Sequence, residues 1–389
     1  MIQVSASKSV EMPPATAGEL AVINLLSSLQ RAWDVLGRWP DRLSAAERVV
    51  EEEQLKAQFL GDATALDRLT RLASELPRNN PESASTHLVA ARVSSLVHRF
   101  ADAKTHLAEA HSHGAPVDVT SRVLLSVKQA LGEDLQEVLK ARRRITETST
   151  ELQELVPLGA LLADLGEFEE ADRTYLKAIQ HYRDVSPFGL AWVCFQLGVL
   201  WGETVPQPQP RRAANWYECA VGYLPSYINA RVHLSEIYLD DGDLKRAEAL
   251  LAPVVASGDP EVNWRLSQVL EAQSKHVAAD VQRNAARSGF EGLLGRHELA
   301  FADHAAEFYL SSGADPQRAC DLARVNLANR PTRRAFELAH VAAVRAGDQR
   351  LASELLAKAG TQSGSTNGFA HLPFSTQSTS SIQSGDDGD

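Results

Sequence analysis

The chain is short of positive charge. Its 389 residues carry 39 lysines and arginines against 50 aspartates and glutamates, a formal net charge of −11. Neutralising a nucleic-acid backbone needs a basic face, so this balance argues against nucleic acid as the main partner. The densest basic run is Lys140, Arg142, Arg143 and Arg144. It reads as the solvated end of a helix, with cations at its C-terminal turn. Aromatic residues make up only 6% of the chain, and no stretch alternates valine, isoleucine and threonine as a half-buried strand would. That excludes a sheet fold. The three cysteines, Cys194, Cys219 and Cys320, form no C-x-x-C pair. Each falls in a helical pattern where a small apolar residue would serve, which predicts reduced, buried or half-buried thiols. No run of about 18 uncharged apolar residues occurs, and the first twenty residues are polar, with Pro13 and Pro14 among them. The expectation is a soluble, cytoplasmic protein with no membrane insertion.

Catalytic signatures are missing too. There is no G-x-S-x-G elbow, no G-x-x-x-x-G-K-[ST] phosphate loop and no G-x-G-x-x-G turn. Carboxylates are abundant, but without a defined pocket none can be assigned as acid or base. The most suggestive histidines lie in HELAFADH, which holds His297, Glu298, Asp303 and His304, with His340 one repeat later. His297 and His304 are seven apart, whereas a zincin needs four. They read as polar residues lining a repeat surface, with a metal site between stacked helices as the lesser alternative. No cofactor and no catalysis are expected.

What the chain has is a repeated unit, best preserved in LGALLADLGEFEEADRTYLKAI, Leu158 to Ile179. Leu158, Leu162 and Leu165 fall on one helical face. Gly159 lets a neighbouring helix approach closely, and Gly166 ends the first helix in the left-handed conformation. Phe168, Ala171, Tyr175 and Ala178 then form a second apolar stripe. Pro157 predicts a helix start or a kink near that point. Two such helices make an antiparallel hairpin of about 34 residues that cannot bury both faces alone and must stack on its own kind. The order Leu-Gly, Leu, Gly, aromatic, Ala, Tyr, Ala resembles the tetratricopeptide repeat. The marks recur as Ala90-Ala91 with Phe100, Ala103, Leu107 and Ala110; as Leu197-Gly198 with Ala213, Tyr217 and Ala220; and as Leu234-Ser235 with Gly242 and Ala247. Leu266-Ser267 carries Ser274 in place of the turn glycine, and Ala305-Ala306 and Ala339 head two further copies.

The predicted fold is therefore all-α, a right-handed superhelical solenoid of stacked antiparallel helix hairpins, with eight or nine hairpins between about residues 41 and 360. Residues 1–16 are expected as a disordered leader and 17–84 as a helical cap of degenerate repeats. Residues 85–360 are expected as the repeat array. Residues 361–389, rich in Ser, Thr and Gly and ending in aspartates, are expected as a disordered tail. Between Trp201 and Ala213, Pro206, Pro208 and Pro210 predict an extended insertion. Ser288 to Arg296 breaks the register and predicts a bend or extra turn.

The resemblance implies a binding role along the concave face. Counting from the small-residue landmark places Asp164, Trp192, Phe195, Glu203, Asn229, Glu236, Asp240, Trp264, Glu271, Asp303 and Glu307 near that face, with Glu337 and Arg345 beyond them. This set is mainly acidic with three large aromatics, which suits a basic or amide-rich peptide or helix of a partner protein. Repeats of this family that clamp an acidic C-terminus resemble one another in presenting lysine and asparagine. Here Val156, Phe195 and Val232 stand where lysine is expected, and Ala160, Val199 and Glu236 where asparagine is, so a carboxylate clamp is not expected. The alternative is self-association through the last helix, whose stripe holds Leu351, Leu355 and Leu356.

Overall fold

The structure, a computed structural model, describes residues 2–3, 9–40 and 42–362. Among them, all regular structure is helical except a pairing of Ile2–Gln3 with Ser9–Val10. Three helices lead in: α1 (Gly18–Arg38), α2 (Leu43–Leu60) and α3 (Thr64–Asn79). Antiparallel pairs follow: α4 (Ala84–Leu96) with α5 (Phe100–Ser112), α6 (Val117–Leu131) with α7 (Leu135–Thr148), and α8 (Leu152–Asp164) with α9 (Phe168–His181). Next come α10 (Pro187–Val199) with α11 (Pro210–Tyr223), and α12 (Ile228–Asp240) with α13 (Leu244–Leu251). The last are α14 (Pro260–Ala272) with α15 (His276–Leu310), α15 again with α16 (Pro316–Asn329), and α17 (Arg333–Arg345) with α18 (Gln349–Gln362). The tail beyond residue 362 lies outside the described residues.

Small residues do what their spacing predicts. A Cβ built on Gly159 would sit 2.5 Å from the ring of Tyr175, and one on Gly198 would sit 2.4 Å from the ring of Tyr217. Each glycine thus admits the tyrosine of its own second helix. Ala171, Ala213 and Ala247 are fully buried. Ser274 takes φ +61° at the turn where other hairpins use glycine.

Adjacent hairpins share a recurring clasp. Trp201 Nε1 donates to Asp172 of the preceding hairpin at 2.8 Å, and Arg212 donates to the same oxygen at 2.9 Å while its guanidinium lies 3.4 Å from the Trp201 ring centre. Tyr238, Glu218 and Arg246 repeat the arrangement one joint later. At a third joint the Tyr309 hydroxyl donates to Glu291 at 2.6 Å, and Arg318 pairs with that carboxylate at 3.0 Å. An aromatic at the end of one first helix, a carboxylate from the hairpin before and an arginine from the next helix thus fasten neighbours together, with cation–π contact added at two of the joints.

Several local expectations are corrected. α8 begins at Leu152, so Pro157 lies inside it and simply forgoes one backbone donor. Residues 288–296 hold no bend but extend the second helix by further turns: the helix runs on through Arg296, and His297 alone leaves helical geometry (φ −140°, ψ 49°). Two hairpins are therefore joined there without a loop. In the proline insertion, Leu200–Thr204 widens into a π-helical turn before the chain leaves the helix. Arg142 is not solvated but 4% exposed, and burial lowers its guanidinium to about 10. Residues 11–16, expected within a disordered leader, pack: Met12 and Ala15 lie against the main core, and Tyr223 Oη donates to the Pro13 carbonyl at 2.7 Å.

The array also comes round on itself. Phe59 of α2 packs its ring 5.2 Å from Phe188 and 4.6 Å from Tyr227. Asp67 of α3 pairs with Arg296 at 2.6 Å and with His297 at 2.7 Å. His98, in the α4–α5 turn, lies 3.0 Å from the Leu299 carbonyl through Nδ1, and its own carbonyl accepts from Asn329 Nδ2 at 3.0 Å. The leading helices and first turns thus rest on hairpins four to seven places further along. The inner face is walled by this contact rather than open along its length.

Candidate functional site

The first helices of successive hairpins turn charged side chains toward this inner face. His233 Nδ1 lies 2.7 Å from Glu203 and 3.6 Å from Glu236, and Glu236 pairs in turn with Arg265. His304 pairs with Glu261 and lies 3.9 Å from Asp303, which Arg330 approaches at 3.7 Å. Arg334 donates to Glu307 at 3.2 Å. The result is a ladder of alternating charge that runs from α10 to α17.

Enclosure shows in the protonation behaviour. Burial pushes the Asp164 carboxyl up to about 6 against the pull of Gln129, Arg330 and Arg334, although its side chain is exposed. Burial raises Glu236 as well. For Glu203 the burial effect is overcome by the charge and hydrogen bond of His233, helped by Arg334 and Tyr217, and the carboxyl falls to about 2. Burial of His233 is likewise outweighed by Glu203, Glu236 and Glu261, which hold it at about 9. Glu261 and Asp303 hold His304 at about 10, so both imidazoles are charged near neutrality. Glu307 above all, with Glu203 and Asp303, raises Arg334 further. One guanidinium from α17 therefore feels carboxylates from the π-helical turn after α10 and from α15 together. Groups that reach solvent yet are desolvated by protein around them mark a concavity.

The residues expected on the groove divide. Asp164, Glu203, Glu236, Asp303 and Glu307 share the ladder's surroundings, and Asp240 lies near enough to Arg265 to feel it. Phe195 is 9% exposed but edges the site, its ring 5.2 Å from His233 and 5.6 Å from Tyr217. Trp192 and Asn229 are half-buried, Trp192 against the main core. Trp264 is a correction: at 2% exposure it belongs to the core with Phe290 and Phe308, and its Nε1 donates to Ser312 at 3.1 Å. Glu271 is another, exposed at the far end of α14 and paired with His276 and Arg283. Glu337 is held by Arg333 at 2.7 Å. The acidic character is corrected as well. Position counting missed the cations His233, Arg265, His304, Arg330 and Arg334. Each of the first three lies three or four residues from an acid on its own helix, or next to one, and i, i+3/i+4 pairing is the signal that finds them.

His297, His304 and His340 do not converge. His297 faces Asp67, His304 faces Glu261, and His340 Nδ1 lies 3.2 Å from the Ala352 carbonyl. Of the terminal stripe, Leu355 is buried and only Leu356 is clearly exposed. No helix among the described residues is long and apolar enough to cross a membrane.

The fold is that of the tetratricopeptide-type helical solenoids. Among solved structures, the human IFIT1 dimer with m7Gppp-AAAA has a TM-score of 0.50 at 14% identity, over 87% of this chain and 77% of that one. The APC/C hetero-tetramer Cut9–Hcn1 has a TM-score of 0.36 at 13% identity, over 82% of this chain. This chain spans about half (52%) of the length of that one. Neither the family models nor the curated proteins compared with the sequence give a match.

Proposed function

We propose that the protein is a non-catalytic binding scaffold that takes an extended segment of a partner protein along the inner face of its superhelix. The carrying observation is the ladder of paired charges in the walled concavity. An acid already paired with a cation offers little to a purely basic peptide. It offers much to a segment carrying both signs and exposed amides, which can exchange partners pair by pair. The cations of this face, His233, Arg265, His304, Arg330 and Arg334, are each already engaged by a carboxylate and so are not free to neutralise a polyphosphate chain. The fold itself is neutral on this point, since its neighbours are named with a protein subunit in one case and a capped oligonucleotide in the other.

The test is affinity purification with Arg334→Glu, compared with Arg350→Glu on the outer surface. The side chains of these two arginines are 66% and 85% exposed, so neither change removes core packing. Because Arg334→Glu sets a further carboxylate beside Glu203, Asp303 and Glu307, an unchanged melting temperature is required of it before its partners are compared. The expected result is loss of a defined protein partner with Arg334→Glu and its retention with Arg350→Glu. The same proteins with both variants, or co-purifying RNA in place of protein, would overturn the reading.

A further inference from the structure

The first full hairpin carries a group of side chains that binding along the inner face does not use. His87 in α4 is 8% exposed. Its Nε2 lies 2.7 Å from the Pro81 carbonyl. A carbonyl only accepts, so Nε2 carries the proton and Nδ1 presents its lone pair. That Nδ1 is buried and has no hydrogen-bond partner. The His113 ring stacks on His87 with centroids 5.5 Å apart and planes 9° apart, and the His106 ring lies 5.8 Å away on α5. His106 Nδ1 is also buried without a partner. Glu109, one turn before His113, brings a carboxylate oxygen 3.8 Å from His113 Nε2. Ligand atoms of His87, Glu109 and His113 all lie within 4.8 Å of one another.

We propose that His87, Glu109 and His113 form a binding site for a borderline divalent transition metal of the Zn²⁺ class. Two imidazoles and a carboxylate are the donors such an ion takes, whereas Mg²⁺ and Ca²⁺ prefer all-oxygen sets. The Pro81 carbonyl supplies the outer contact that fixes a metal-ligating histidine in the correct tautomer. Tetrahedral ligands around Zn²⁺ stand about 3.3 Å apart, so the set must contract slightly. Glu109 and His113 can do this because their side chains are 53% and 28% exposed. The site lies at the C-terminal end of α5, where the helix dipole favours a cation. The ion would tie that end to the start of α4, leaving a fourth position for water or His106.

Calorimetric titration of the full chain with Zn²⁺ at pH 7.5 tests this. One equivalent should bind, and Glu109→Gln and His113→Ala should each weaken it at least tenfold, with Glu109→Gln leaving the metal-free melting temperature unchanged. Affinity should also fall at pH 6, where imidazoles hold protons. Absence of binding by the folded parent, or one equivalent bound with unaltered affinity by both variants, overturns the site. Because the Glu109 side chain is exposed and stacks on nothing, the result does not depend on whether a His87 or His113 variant folds.

Discussion

Asp67 and His297 are 230 residues apart in sequence and 2.7 Å apart in space. The same carboxylate takes Arg296 at 2.6 Å through its other oxygen. A single side chain of α3 thus holds the one point where α15 leaves helical geometry.

Asp67→Ala should loosen this hold. It leaves the buried His297 Nε2 without its partner and releases Arg296, a loss of about 1–3 kcal/mol for charged hydrogen bonds. Hydrogen exchange should speed up in α3 and around residues 296–299 while the α8–α13 hairpins keep their protection. Uniform protection in the variant would show that Asp67 does not secure the contact.

Two glycines of the α10–α11 hairpin make a paired prediction. Gly198→Ala forces a Cβ to within 2.4 Å of the Tyr217 ring and should cost about 1–3 kcal/mol as an overpacked core. Gly222→Ala, in α11 with no atom within 4 Å of the new Cβ, should be neutral or stabilising by up to about 1 kcal/mol. Denaturant midpoints measure both, and equal effects would mean that the close approach is not what requires glycine at 198.

Stability should fall on the alkaline side of neutrality. His233 and His304 are raised from 6.5 to about 9 and about 10. Their contribution is complete below pH 6.5 and is lost as pH rises through 9 and 10. Burial and Glu261 raise Asp259 to about 7, and burial raises Asp164 to about 6, both from 3.8. Their contribution is fully present below 3.8 and fades as pH rises through 6 and 7. Glu203 and Glu261 are lowered from 4.5 to about 2. Theirs is present above 4.5 and lost toward pH 2. Melting temperature should therefore fall by several degrees from pH 7 to pH 10, and His304→Gln should flatten that fall. A curve that rises toward pH 10 would contradict the ladder.

The hairpins were legible because their determinants are local. Gly159 and Tyr175, or Gly198 and Tyr217, lie within one unit, and their spacing alone announces their contact. The walled inner face was not legible. His98 meets Leu299 and Asn329, and Phe59 meets Phe188 and Tyr227, across separations where no periodicity connects the partners. The inner face was half legible for the same reason. Counting from a landmark picked out Glu203, Glu236 and Asp303, which lie among the paired charges, yet it assumed every hairpin presents one face alike. Trp264 breaks that assumption, because at its joint the continuous α15 brings Phe290 and Phe308 over the ring.

The join at His297 has a mechanical consequence. Elsewhere hairpins meet through loops that can absorb a twist. Here one helix ends and the next begins at a single residue, which Asp67 grips from another part of the chain. With no loop between them, the angle between the two hairpins that share α15 is set by the backbone of His297 and by the Asp67 carboxylate that holds its side chain.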